Sequence, residues 1–266
     1  MLGSNWQRNF LKQGFLHLRE AVQPMVCGVI RDEVAELISE ADAQPPTGVE
    51  WIRHQREALI VMRDTVMPQK PDPVAKVASL FNLHEWPALR HVLIPDVKQV
   101  LCTFLGKDID MVQSHVFFVH PDSAGYPWHQ DTVLLPVDSR QAVGMAIALT
   151  ELSLDSGAPT LITGSHRSGD VRYHHHARAL FPGTVKIAGD EPCHTTVMGV
   201  GDVMLIHPKL IYRLSENRTG QRGQILFLQF ARQHAEPLKG KNLDSYLPVA
   251  VSRGGAGEAK VLRAAG

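Results

Sequence analysis

Residues 127–131 read Pro-Trp-His-Gln-Asp, and this stretch with the texture on either side of it decides the fold. His129 and Asp131 stand two apart. In an extended segment alternate side chains point the same way, so an imidazole and a carboxylate share one face. They can then meet one cation at about 2 Å. With a third ligand from elsewhere, such a pair forms the three-donor face that holds non-haem Fe(II) and leaves positions open for a co-substrate and O2. Fourteen histidines make a chance H-x-D pair easy, so the surroundings must carry the weight.

Outward from this segment lie short apolar or alternating runs: MVQSHVFFV (111–119), AVGMAIALTEL (142–152), PTLITGS (159–165), TTVMGVGDVMLIHP (195–208) and GQILFLQFAR (223–232). Turn-rich HPDSAGYP, LDSGAP and SENRTG separate them. Many short strands at this spacing predict a β-sandwich or barrel and not βαβ units. Before Gly106 the texture is helical. Phe10, Phe15 and Leu18 recur at helical spacing, as do Val29, Val34, Leu37 and Ile38, and VAKVASLF (74–81) and 88–105 continue the pattern up to a Gly106 stop. AQPPTG (43–48) is a turn, and the end of 51–66 reads as a strand. The expectation is one domain over 1–266: a helical buttress about 1–106, a β core about 107–235 and a flexible small-residue tail about 236–266.

Lys+Arg and Asp+Glu both number 27, so no net positive charge draws a nucleic acid or an anionic membrane. Three scattered cysteines make neither a disulfide framework nor a zinc pattern. The first twenty residues hold no apolar signal-like run, and no apolar run approaches the roughly 18 residues of a membrane span. These features predict a cytoplasmic protein whose partner is a small molecule. Oligomeric state is not legible.

Further motifs follow the first in order: Ala146-Ile147-Ala148-Leu149, then Ser156-Gly157-Ala158-Pro159-Thr160-Leu161, Gly164-Ser165-His166, Gly201-Asp202-Val203 before LIHPKLIY, Ser215-Glu216-Asn217-Arg218-Thr219, and Arg222. With the opening Phe10 to Leu18, this series resembles the phytanoyl-CoA dioxygenase family of Fe(II)/2-oxoglutarate oxygenases over roughly residues 8–232. The resemblance implies a double-stranded β-helix (jelly-roll, cupin-like) barrel buttressed by N-terminal helices, with Fe(II), 2-oxoglutarate and O2 acting on a small molecule. It implies His129 and Asp131 as metal ligands and Arg222 as the partner of the distal 2-oxoglutarate carboxylate, a role a guanidinium fork suits. Taken alone, Arg222 would read as a surface ion-pair residue. Thr219 adds a hydroxyl near that carboxylate, and Gln113 assists co-substrate or substrate.

One position departs from the family pattern. The second metal histidine is expected five residues before Asn217, and Tyr212 stands there. Three readings remain open: Tyr212 binds iron as a phenolate, which favours Fe(III) and hinders ordinary hydroxylation; His207 supplies the imidazole through a bulge near Pro208; or His129 and Asp131 hold a weak metal or none. Retained iron with altered coordination is the favoured reading. The alternatives to an oxygenase are a pseudo-oxygenase or binding protein and a non-oxidative isomerase or cyclase on the same scaffold. His174-His175-His176 reads as a solvated loop, His166 as packing at the site rim, and at most one of His115 and His120 faces the pocket.

Overall fold

A computed structural model describes residues 2–42, 49–54, 57–63, 74–78, 80, 88–133, 135, 137–175, 183–187, 189, 191–233, 235, 238 and 249–252. The N-terminal part runs α1 (Trp6–Gln13), β1 (Phe15–Leu18), α2 (Pro24–Asp42), β2 (Val49–His54), β3 (Glu57–Arg63), β4 (Val74–Ala78), α3 (Ala88–Val92) and α4 (Pro95–Leu105). After it come β5 (Ile109–Val119), β6 (Tyr126–His129), β7 (Ala142–Ala148), β8 (Pro159–Ile162), β9 (Tyr173–His175), β10 (Gly183–Val185), β11 (Cys193–Thr195), β12 (Val203–Ile206), β13 (Ile211–Leu214), β14 (Gly223–Arg232) and β15 (Val249–Ser252).

Among the described residues the larger sheet is antiparallel in the order β1-β12-β7-β14-β5-β4-β3-β2, with β15 also on β5. A smaller sheet, β11-β8-β13-β6, faces it, and β9 pairs with β10. This is the jelly-roll that the family resemblance implies, and the short apolar runs provide its strands.

Both faces of the larger sheet are covered, which is why β7 is buried at every residue and reads as continuous apolar sequence. Val143, Met145 and Ile147 join Phe10, Ile30 and Leu101 of the helices in one core cluster. Ala146 and Ala148 point to the smaller sheet, among Leu161, Leu210 and Leu214. Small inward side chains on β7 keep the two sheets from filling the space between them.

The helical buttress expected before Gly106 is corrected: β1 to β4 lie within it, and β2, β3 and β4 extend the larger sheet. VAKVASLF is strand β4 over Val74–Ala78 because it pairs with β3 and β5, and tertiary pairing overrides a weak helical periodicity. Phe15 and Leu18 belong to β1, since Gly14 takes a left-handed φ of 86° and ends α1. The tail also differs from expectation: Val249–Ser252 add strand β15, while most of the remainder lies outside the described residues.

Asn217 fastens the far end of the barrel. Fully buried, it donates to Val119 O and Gln221 O, both at 2.7 Å, and its Oδ1 accepts from Thr219 N and Oγ1. Asn217→Ala should destabilise the fold by about 2 kcal/mol in urea titration, because it leaves the Val119 carbonyl without its partner. A loss below about 0.5 kcal/mol would mean that water or backbone adjustment replaces the amide.

Candidate active site

Between the two sheets lies a small, open-mouthed, mainly apolar cavity, in which the centres of water molecules can occupy about 40 Å³. Gln113, His115 and Phe117 of β5 and Ile225, Phe227 and Gln229 of β14 line its larger-sheet side. His129, Tyr126, Tyr212 and Leu214 line the other. A register shift between Gln229 and Phe230 decides this arrangement. Gln229 pairs with Gln113 but Phe230 pairs with Met111, so Val112 is an extra residue on β5. Before the shift Ile109 and Met111 face the helices; after it the odd-numbered residues face the cavity.

His129 ends β6 and Asp131 begins a one-turn 3-10 helix, Asp131–Val133. The two side chains therefore converge through a strand end and a turn, and not through alternation along one strand as expected. His129 Nε2 lies 3.7 Å from Asp131 Oδ1. Gln130 between them is fully buried and holds the turn: its amide nitrogen donates to Gly169 O and Lys209 O, and its Oε1 accepts from Val171 N. Sequence reasoning passed over Gln130, though a buried glutamine with three backbone partners is the anchor of the Asp131 turn.

Tyr212 stands directly across from His129 in the β6–β13 register. Their rings lie 4.3 Å apart, and Tyr212 Oη donates to Asp131 Oδ1 at 2.7 Å. The Gln229 side chain also lies close enough to Asp131 to favour its ionised form. Asp131 Oδ2 remains buried without a partner, and a Cβ on Gly144 would come within 3.1 Å of it. The glycine makes the space this oxygen occupies.

Burial dominates the electrostatics. It raises the Asp131 carboxyl to about 7 against the opposing pull of Tyr212 and Gln229. It lowers His129 to about 4, with the Pro127 carbonyl acting the other way. The Tyr212 phenol is pushed well above its usual range, first by burial and then by Asp131.

The structure brings His129, Asp131, Tyr212 and Gln113 to one cavity. It does not bring the other expected residues there. Arg222 stacks its guanidinium 4.5 Å over Phe118, which belongs to the helix-side core. The inward residues of β14 are odd-numbered, so the arginine is one residue out of phase, and a one-residue offset reverses the face. Thr219 bonds to Asn217 in the turn before β14. His207 is turned away from the cavity: its ring lies 4.9 Å from His166 and its Nδ1 accepts from Lys209 N. His166 packs there too, against the Leu11 carbonyl of α1, and so is not at the rim. Of the remaining histidines, His115 lines the cavity and His120 bonds to Val74 O. His174 and His175 form β9 and not a loop, because they pair with Thr184 and Gly183; His176 lies outside the described residues.

A jelly-roll that encloses an imidazole, a carboxylate and a phenol between its sheets is the class of scaffold on which non-haem oxygenases are built. The sequence pattern of phytanoyl-CoA dioxygenase matches residues 10–223, and the chain belongs to that family. A probable alpha-ketoglutarate-dependent hypophosphite dioxygenase of Stutzerimonas stutzeri is 29% identical over 151 residues, 54% of this chain and 52% of that protein. The chain thus spans about half the length of that relative. Phytanoyl-CoA dioxygenase domain-containing protein 1 of Rattus norvegicus is 25% identical over 246 residues, 79% and 83% of the two chains. Among solved structures, the non-heme monooxygenase ThoJ superposes with a TM-score of 0.68 at 17% identity, covering 94% of this chain and 84% of that one. Iron-bound EctD from S. alaskensis gives 0.66 at 15%, with 92% and 83% covered. No helix among the described residues is long and apolar enough to cross a membrane.

The Asp131 environment predicts a pH dependence with a definite sign. A carboxyl raised from 3.8 to about 7 by folding binds its proton more tightly when folded. Its contribution is therefore fully present at low pH and is lost as pH rises through that window. In chelator, the advantage of Asp131→Asn over the parent in urea unfolding should grow between pH 4 and pH 8, up to about 4 kcal/mol. A difference that stays flat with pH would mean that the carboxyl titrates near its ordinary value.

Proposed function

We propose that the protein is an iron- and 2-oxoglutarate-dependent oxygenase acting on a small, largely apolar molecule, with its metal at His129, Asp131 and Tyr212. The observation that carries this reading is Asp131 Oδ2, a buried carboxylate oxygen without a partner, in the space left by Gly144 and beside an imidazole. A buried carboxyl group with an open coordination direction fits a cation better than it fits a structural role. Among the described residues no three His, Cys, Asp or Glu side chains gather, so the third protein donor would be the Tyr212 oxygen.

The chain's own groups prepare such a site. His129 Nδ1 sits 2.8 Å from Pro127 O, which places the imidazole proton on Nδ1 and makes Nε2, the nitrogen on the Asp131 side, the acceptor. Tyr212 anchors Asp131 Oδ1, with Gln229 close by. A bound divalent cation favours loss of the Tyr212 and Asp131 protons and so reverses the shifts that burial imposes. Fe(II), when bound, supplies O2 activation coupled to decarboxylation of the 2-oxoacid. Phe117, Ile206, Leu214, Ile225 and Phe227 give the cavity walls that exclude water and hold an apolar substrate. The phenol in place of an imidazole suits an oxidative transformation other than simple hydroxylation, and a substrate from specialised metabolism. A cytoplasmic location fits the odd, unpaired cysteines.

A second reading, a binding protein without turnover, draws on Arg222 stacked over Phe118 and on the hydrogen bond that already occupies Asp131 Oδ1. The two separate in one experiment. Protein purified without oxygen and supplied with Fe(II) should retain about one iron per chain and, under air, release succinate from 2-oxoglutarate. His129→Ala, still folded by circular dichroism, should lose both. A folded parent that retains no iron and forms no succinate would sink the oxygenase reading.

A further inference from the structure

With Arg222 stacked over Phe118, the cavity needs another source of positive charge if it is to hold a dicarboxylate, and β4 carries a lysine against Phe117 of its wall. Lys76 pairs with Phe117 in the β4–β5 register, so its side chain rises from the same inner face. Its Nζ lies 5.1 Å from the Phe117 ring centroid, and Phe117 lines the cavity. Among the described residues Lys76 makes no hydrogen bond or ion pair, although it is largely covered. Asp131 is the one carboxylate among the described residues that line the cavity.

The neighbouring strand position is also polar. His115 lines the cavity, is 9% exposed, and has a buried Nδ1 without a partner. Its other nitrogen is 3.4 Å from Gln113 Oε1. Gln113, His115 and Phe117 are successive inward residues on β5, and Gln113 pairs with Gln229, which lies close to Asp131. Gln113 to Phe117 spans about 13 Å of strand, and a lysine stem reaches back over part of that length. The row therefore leads from the Asp131 carboxylate to an ammonium at its far end.

Resting on the oxygenase reading above, we propose that Lys76, assisted by His115, receives the distal carboxylate of 2-oxoglutarate, the role the sequence pattern gives to Arg222. Lys76 sits on the Phe117 face until the carboxylate arrives, and the open nitrogen of His115 offers a second hydrogen bond. Burial lowers Lys76 to about 8 and drives His115 well below its usual range. At neutral pH the pair therefore presents one cation and one neutral imidazole, and a bound carboxylate would restore the lysine toward its ordinary basicity. A side chain at Gly223 would have to displace backbone, because a Cβ there would lie 2.8 Å from Ser156 O.

The test is anaerobic calorimetry of the Fe(II)-loaded full-length protein with 2-oxoglutarate and with 2-oxopentanoate, which lacks the distal carboxylate. Lys76→Met keeps the aliphatic stem and should weaken 2-oxoglutarate about 10- to 100-fold while leaving 2-oxopentanoate within about twofold. Lys76→Arg should recover most of the loss, and Arg222→Met should bind as the parent does. Unchanged 2-oxoglutarate affinity in Lys76→Met, or loss in Arg222→Met instead, would overturn the assignment and leave the oxygenase reading standing. A parent protein that binds iron but no 2-oxoglutarate would overturn both. A weakening of both ligands alike in Lys76→Met would mark a packing defect and would also overturn it.

Discussion

The inner face of the larger sheet is closed over by the smaller sheet except at the cavity mouth, so a polar side chain on it must be matched by another group of the protein, by a ligand or by water entering there. The outer face carries the same demand through the helices, and together they leave the cavity as the one inward outlet for polar groups on β5, β7 and β14. Burial of an unmatched polar group costs a few kcal/mol, more for a charge. Gln113, His115, Gln229, Asp131, Tyr212 and His129 gather there for this reason, and several of their atoms still lack partners. Those open atoms, and not the fold alone, mark the cavity as a site.

The fold was legible because its signal is spread over many short apolar runs whose order and turns agree, and β14 even has the bounds read for it. Legibility failed where pairing decides structure. VAKVASLF has an acceptable helical period, yet strands on both sides recruit it as β4, and that pairing sets Lys76 opposite Phe117. His129 and Asp131 were found through their sequence context, although the strand-alternation argument for them does not describe the turn that holds them. Tyr212 was found by counting back from Asn217, and the register places it across from His129.

Residues missed or misplaced share one physical cause: which face a strand residue occupies depends on bulges and on where the strand begins. Val112 shifts the phase of β5, and nothing in MVQSHVFFV announces it. Arg222 lies one residue from an inward position and so ends on the opposite face over Phe118. A glutamine inside an apolar strand, as at Gln113 and Gln229, is the one local hint of an inward polar position that the sequence offers in advance.

Tyr212 Oη donates to Asp131 Oδ1 and would become a metal donor once a cation displaces its proton. The visible absorption spectrum of the aerobically oxidised iron protein tests this most directly. A phenolate on Fe(III) gives a charge-transfer band, and the account predicts that band in the parent and its loss in Tyr212→Phe at equal iron content. An iron-loaded parent without the band, or a band that survives the substitution, would contradict it.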